Sequence, residues 1–178
     1  MNFSKTLETQ NLKMRTLNAN DASEEYLSWM QDYEINKYLE SRFYVPQDTG
    51  DLIDFINSVN ASEDSLLFGI FLKENSQHIG NIKIGPIIAR HARSEIGYLI
   101  GESSARGKGY AAEAIQEICR FSFDNLKLLK ISAGVYEANI SSIKTLLKAG
   151  FILEATISSN VILEERRIDS KLFGLKKT

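Results

Sequence analysis

Arg106-Gly107-Lys108-Gly109-Tyr110-Ala111 stands between a strand-like run, 96–100, and a helix-like run, 110–123. A short glycine-rich turn joining a strand to a helix leaves several backbone N–H groups unpaired and pointing one way. The positive end of the helix adds to them, so the place suits a phosphate or pyrophosphate. Gly107 and Gly109 permit positive φ and close approach of a ligand to the backbone. Arg106 and Lys108 supply charge beside it. Taken alone, the turn also fits an ordinary strand-to-helix connection with solvated basic residues.

The segment is not a P-loop, because no Gly-Lys-Ser/Thr follows four residues after a first glycine. The dinucleotide fingerprint Gly-x-Gly-x-x-Gly matches in part, with Ala112 in the last place. That fold, however, opens with the fingerprint at its first strand, and here about a hundred residues come first. The pattern that fits is Arg/Gln-x-x-Gly-x-Gly/Ala, completed by Arg106, Gly109 and Ala111. It resembles the acyl-CoA pyrophosphate loop of the GNAT superfamily of N-acetyltransferases.

A second block adds to the resemblance. Asn139-Ile-Ser-Ser142 precedes Leu146-Leu-Lys-Ala-Gly150-Phe151 and is similar to the family's Asn-x-x-Ser/Ala…Gly-Phe element. Asn139 stands where an N-cap belongs and Gly150 where a C′ glycine belongs, so ordinary helix capping explains both residues as well. The block lies about thirty residues past the loop, beyond one helix and one strand. Leu12-Lys-Met-Arg-Thr-Leu17, followed by an Asp21-started helix, resembles the opening of the ribosomal-protein N-acetyltransferase branch, and Asp169…Leu172-Phe173-Gly174-Leu175 its last strand.

The bulk properties are compatible. A chain of 178 residues with 43% hydrophobic content suits one domain over residues 1–178. Net charge of −2 gives no reason to expect nucleic acid or an anionic membrane as partner. The single cysteine, Cys119, excludes an intramolecular disulfide and falls among Ile115, Ile118 and Phe123, where core packing is expected. No segment approaches the ~20 apolar residues of a membrane span, and the N-terminus has no secretory pattern, so a cytoplasmic protein is expected.

Periodicity and punctuation predict strand 11–17, helix 21–30 with a short continuation to about 40, and helix 49–60. Strands 66–73, 77–85 and 93–101 follow, then helix 108–124, strand 129–136, helix 140–149 and strands 151–158 and 165–175. Strands that meander first and are later separated by helices imply a mixed sheet in an α/β (α+β) domain. The resemblance implies the GNAT fold: a twisted, mostly antiparallel sheet of about seven strands flanked by about four helices.

Acetyl transfer from a thioester to an amine needs both partners bound, the ammonium deprotonated, the oxyanion stabilised and the thiolate protonated. It needs no covalent nucleophile and no metal. With only His78 and His91 in the chain, neither a Ser-His-Asp triad nor a histidine metal site is expected. The resemblance implies acetyl-CoA as co-substrate and an amine acceptor. It places the pantetheine arm against backbone groups of Leu99, Ile100 and Gly101, and the pyrophosphate against Arg106, Gly107, Lys108, Gly109, Tyr110 and Ala111. Asn139 and Ser142 come from the second motif. Glu95 shares a strand face with Arg93, Gly97 and Leu99 and is the candidate base, with a structural ion pair as its other reading. Where many members carry a tyrosine acid this chain has Leu146, so Ser142 is the candidate acid and Tyr98 the fallback donor. Trp29, Glu40 and Arg42 lie in an aromatic-rich region on the expected acceptor side. A catalytically idle CoA-binding domain is the alternative function. A monomer or a homodimer fits equally.

Overall fold

The computed structural model describes residues 3–177. Its strands are β1 (Leu7–Glu8), β2 (Leu12–Thr16), β3 (Leu66–Leu72), β4 (His78–Ile84), β5 (Arg93–Ile100), β6 (Lys130–Tyr136), β7 (Ile152–Leu163) and β8 (Arg166–Lys176). Its α-helices are α1 (Glu24–Gln31), α2 (Tyr33–Asn36), α3 (Thr49–Ala61), α4 (Tyr110–Asp124) and α5 (Ile140–Lys148). The strands form one sheet in the order β1-β2-β3-β4-β5-β6-β8-β7. Every neighbouring pair is antiparallel except β5 and β6. The fold is thus the expected mixed α/β sheet, with eight strands and five α-helices among the described residues.

Both faces of the sheet are covered, which explains why β3 reads as an uninterrupted apolar run rather than an alternating one. Leu66, Phe68, Ile70 and Leu72 enter the larger core, which also holds Ala114, Ile115 and Ile118 of α4 and Leu146 of α5. Leu67 turns the other way, into a second core with Tyr26 and Trp29 of α1 and Leu52 and Ile56 of α3. The sheet therefore has an α4/α5 face and an α1/α3 face.

Three details differ from the sequence expectation. The first helix starts at Glu24, where the Ser23 hydroxyl accepts the Tyr26 N–H at 3.2 Å. Asp21 instead closes a capping box with Asn18 on a short turn and takes both ends of the Arg15 guanidinium, at 2.6 and 2.7 Å. The short edge strand β1 was too brief to carry a period. Finally, β7 runs to Leu163 because it forms a long irregular hairpin with β8, shifting register at two places. No residue pattern over 151–158 marks where such a hairpin stops.

Candidate active site

β5 and β6 run side by side only through Arg93↔Lys130, Ser94↔Ile131 and Glu95↔Ser132, and then part. Gly85 N–H donates to Glu95 O at 2.9 Å, and Gly101 N–H to Ile79 O at 3.0 Å. By antiparallel alternation, Gly97 and Leu99 also direct their backbone groups at β4, which leaves those of Ile96, Tyr98 and Ile100 facing the gap. Of the expected pantetheine contacts, the gap therefore receives Ile100, while Leu99 borders the cleft with its side of the strand and Gly101 is bound back to Ile79. Gly101 has a separate reason to be glycine: a Cβ there would lie 2.0 Å from the Trp29 ring.

The gap opens into a cleft of about 560 Å³ that reaches the start of α4. Gly107 and Gly109 both have left-handed backbones, with φ of +73° and +89°. The first helical bond of α4 is Glu113 N–H to Gly109 O, so the N–H groups of residues 107–112 have no acceptor among the described residues. Gly109 stands at the N-cap with no side chain to close the helix end, which keeps the cradle open. Arg106 borders the cleft, but its Nε donates to Ile100 O at 3.1 Å and its Nη2 to Gly101 O at 2.7 Å. It thereby ties the end of β5 to the loop. Lys108 is exposed and does not border the cleft. The charge beside the cradle comes instead from α5: Lys144 and Lys148 border the cleft, and a Cβ on Gly109 would lie 3.2 Å from Lys148 Nζ. Sequence reasoning missed both lysines. Their i, i+4 spacing was visible, but not that this stripe faces α4.

At the opposite side of the cleft, Asn139 caps α5 through its Oδ1, 3.1 Å from Ser142 N. The Ser142 hydroxyl lies 2.8 Å from the Tyr98 hydroxyl, which also reaches Ser142 O at 3.3 Å. Burial raises the Tyr98 pKa, with hydrogen bonds from Ser142 and Thr145 in partial opposition, so the phenol keeps its proton near neutrality. Leu146, one turn further along α5, is fully buried in the larger core.

On the α1/α3 face the parted strands leave bare floor: a Cβ at Gly97 or at Gly134 would meet nothing within 4 Å. Glu95 lies exposed on this face, at the last paired position before the gap. Glu40 and Arg42 converge on Tyr136 of β6. The Tyr136 hydroxyl donates to Glu40 Oε1 at 2.5 Å and accepts from Arg42 Nη1 at 2.7 Å. Arg42 also donates to Ile162 O at 2.7 Å, which ties this segment to the β7–β8 hairpin. Trp29, 6% exposed, packs on Gly101 and edge-on to His78 and borders neither the cleft nor the neighbouring cavity. Its effect on the site runs through the position of Gly101. Cys119 is buried and its thiol is pushed up to about 12, which leaves almost no thiolate at neutral pH.

A sheet that parts at a parallel pair beside an open helix N-terminus suits a ligand with a phosphate at one end and an extended arm along the free strand edge. Residues 11–152 match the family described as an acetyltransferase (GNAT) domain, and the chain belongs to that family. An uncharacterized N-acetyltransferase, p20, of Bacillus licheniformis is 32% identical over 173 residues, 97% of this chain and 96% of that one. Among solved structures, spermidine N-acetyltransferase from Vibrio cholerae in complex with CoA and spermine superposes with a TM-score of 0.83 at 20% identity, covering 94% of this chain and 96% of that chain. The ribosomal L7/L12 α-N-protein acetyltransferase RimL, in complex with coenzyme A, gives 0.85 at 13% identity over 97% of this chain and 98% of that chain. At such identities the likeness establishes the fold.

Proposed function

We propose that this enzyme transfers acetyl from acetyl-CoA to a primary amine by direct attack in a ternary complex. The observation that carries this reading is the continuous path from the N–H cradle at residues 107–112, along the free edge of β5, to the Tyr98–Ser142 hydroxyl pair. The cradle and Lys148 suit the pyrophosphate, and the free backbone groups of Tyr98 and the Ile100 N–H suit the amides of the pantetheine arm, the Ile100 carbonyl being held by Arg106. CoA present in structural neighbours of the same fold supports acetyl-CoA as the co-substrate.

In the reaction the amine nitrogen bonds to the thioester carbonyl carbon and the C–S bond breaks. The ammonium proton leaves to Glu95, directly or through water. The departing sulfur takes a proton from the Ser142–Tyr98 pair, and the second proton lost by the nitrogen of the tetrahedral intermediate returns through water to that pair, which leaves the N-acetyl product and free CoA thiol. With Leu146 closed into the core, the Ser142–Tyr98 hydroxyl pair is the available proton donor on this side of the cleft, which supports an active enzyme over an idle CoA-binding domain. The test is thiol release from acetyl-CoA against a panel of primary amines, run beside calorimetry of CoA binding. CoA binding with no thiol release for any amine would leave the idle domain as the reading.

A further inference from the structure

A second cavity, of about 640 Å³, opens between α1 and α3 beneath the segment that follows α2. Its base is Tyr26 and Leu52, 3% and 2% exposed, and its mouth is formed by Tyr44, Val45 and Phe55, all exposed. A cavity of this size, largely apolar with few polar groups, has the character of a small-molecule site. Three features say what it would take. Its two charged neighbours are the carboxylates of Glu40 and Asp51, and no basic side chain borders it. Tyr26 is 3% exposed as a residue, and its hydroxyl, which is not fully enclosed, has no hydrogen-bond partner among the described residues. Glu40 also accepts from Tyr136, on the same face as the bare floor at Gly134, so the cavity's acidic end meets the open side of the gap between β5 and β6.

We propose that this cavity binds the body of the acceptor, and that the acceptor is a primary amine bearing a compact apolar or aromatic group. The inference rests on the N-acetyltransferase reading above. The apolar group enters between α1 and α3, the cationic nitrogen lies at the Glu40 end, and the Tyr26 hydroxyl meets a polar atom of the ligand. An extended polyamine, with charges along its whole length, would have to desolvate ammonium groups against Met30, Leu52 and Phe55. The same chemistry is offered by a free amine such as phenethylamine and by a peptide whose first residue is phenylalanine.

The experiment titrates phenethylamine, the peptide Phe-Gly-Gly, propylamine and spermidine into the full chain saturated with CoA, by calorimetry. The same four are then run as acceptors with acetyl-CoA. Phenethylamine or Phe-Gly-Gly should bind at least tenfold more tightly than propylamine and spermidine, and whichever leads identifies the source. Val45→Trp, at an exposed position, should fill the mouth and weaken that ligand at least tenfold while CoA affinity stays within about twofold. Tyr26→Phe keeps the ring and should weaken ligands with a polar group beside the ring, such as tyramine, by roughly two- to tenfold. Aromatic amines that bind no better than propylamine, or binding untouched by Val45→Trp, would overturn the proposal even if other amines release thiol. Saturable aromatic binding lost in Val45→Trp, without thiol release from any amine, would keep the cavity's ligand and sink the transferase reading instead.

Discussion

The Tyr98 hydroxyl on β5 and the Ser142 hydroxyl on α5 lie 2.8 Å apart, across the space where β5 and β6 have separated. Two residues 44 apart in sequence thus close the α4/α5 side of the cleft as one hydrogen-bonded unit. Either hydroxyl can donate to the other, so a proton given up by one at the leaving sulfur can be replaced through its partner.

Residues that act as a unit give non-additive losses. Ser142→Ala and Tyr98→Phe should each lower kcat by roughly ten- to a hundredfold with little change in acetyl-CoA KM. The double variant should be no slower than the worse single one. Steady-state kinetics with the best acceptor reads this directly. Losses that multiply would show two independent roles, and unchanged kcat in both variants would move the acid elsewhere.

Gly109→Val should weaken CoA at least tenfold, because a β-branched residue is strained at φ +89° and crowds Lys148 as well as the cradle. Lys148→Ala should weaken CoA less, by a few-fold, and the deficit should shrink as salt is raised. Lys108→Ala should have the smallest effect of the three, since that side chain is exposed off the cleft. Calorimetry with acetyl-CoA at two salt concentrations ranks them. A Lys108 effect larger than that of Lys148 would reverse the assignment of charge at this end.

Glu95→Gln tests the base. The substitution keeps shape beside the parting of the strands but removes the proton acceptor, so turnover should fall by roughly 10²-fold with little change in acetyl-CoA KM. A variant with unchanged rate and pH profile would reassign the step to water, with the amine's own pKa setting the pH dependence.

The framework was legible because its signals are local. Glycine at 107 and 109 permitted the left-handed turn that forms, Asn139 and Gly150 bracketed α5, and the apolar run 66–72 read as a strand, which the structure buries on both faces. What escaped was whatever depends on two distant segments meeting. Arg106 was legible as the charged residue of the loop motif, but the bonds that its Nε and Nη2 donate to the carbonyls of Ile100 and Gly101 were not. Trp29 belonged to an aromatic cluster at helical spacing, and only its contact with Gly101 shows it to be core. Tyr136 drew no notice as a strand-end aromatic, although it is where Glu40 and Arg42 converge. Helix phase and strand alternation give the face of a residue, not what the opposite element brings to it.

His78 should make stability depend on pH just below neutrality. Its ring stacks on Phe71 and stands edge-on to Trp29 and Tyr26, with Nε2 2.8 Å from Asn81 Oδ1 and 3.0 Å from Gly80 O. Burial lowers its pKa below the ordinary 6.5. The hydrogen bonds to Asn81 and Gly80 and the charge of Asp21 oppose that, while Arg15 adds to it. A depressed folded pKa means the unfolded chain binds the proton first, so this contribution is complete above about pH 6.5 and fades as pH falls toward the folded value. The thermal midpoint should therefore drop by a few degrees between pH 7.5 and pH 5 beyond what the carboxylates cause. His78→Gln keeps a donor for Asn81 but cannot titrate. It should start from a lower midpoint, because the ring contacts are lost, yet show a shallower decline over the same interval. Parallel declines in the two proteins would mean that His78 protonates in the folded state as readily as in the unfolded one, and that burial among these rings does not hold it neutral.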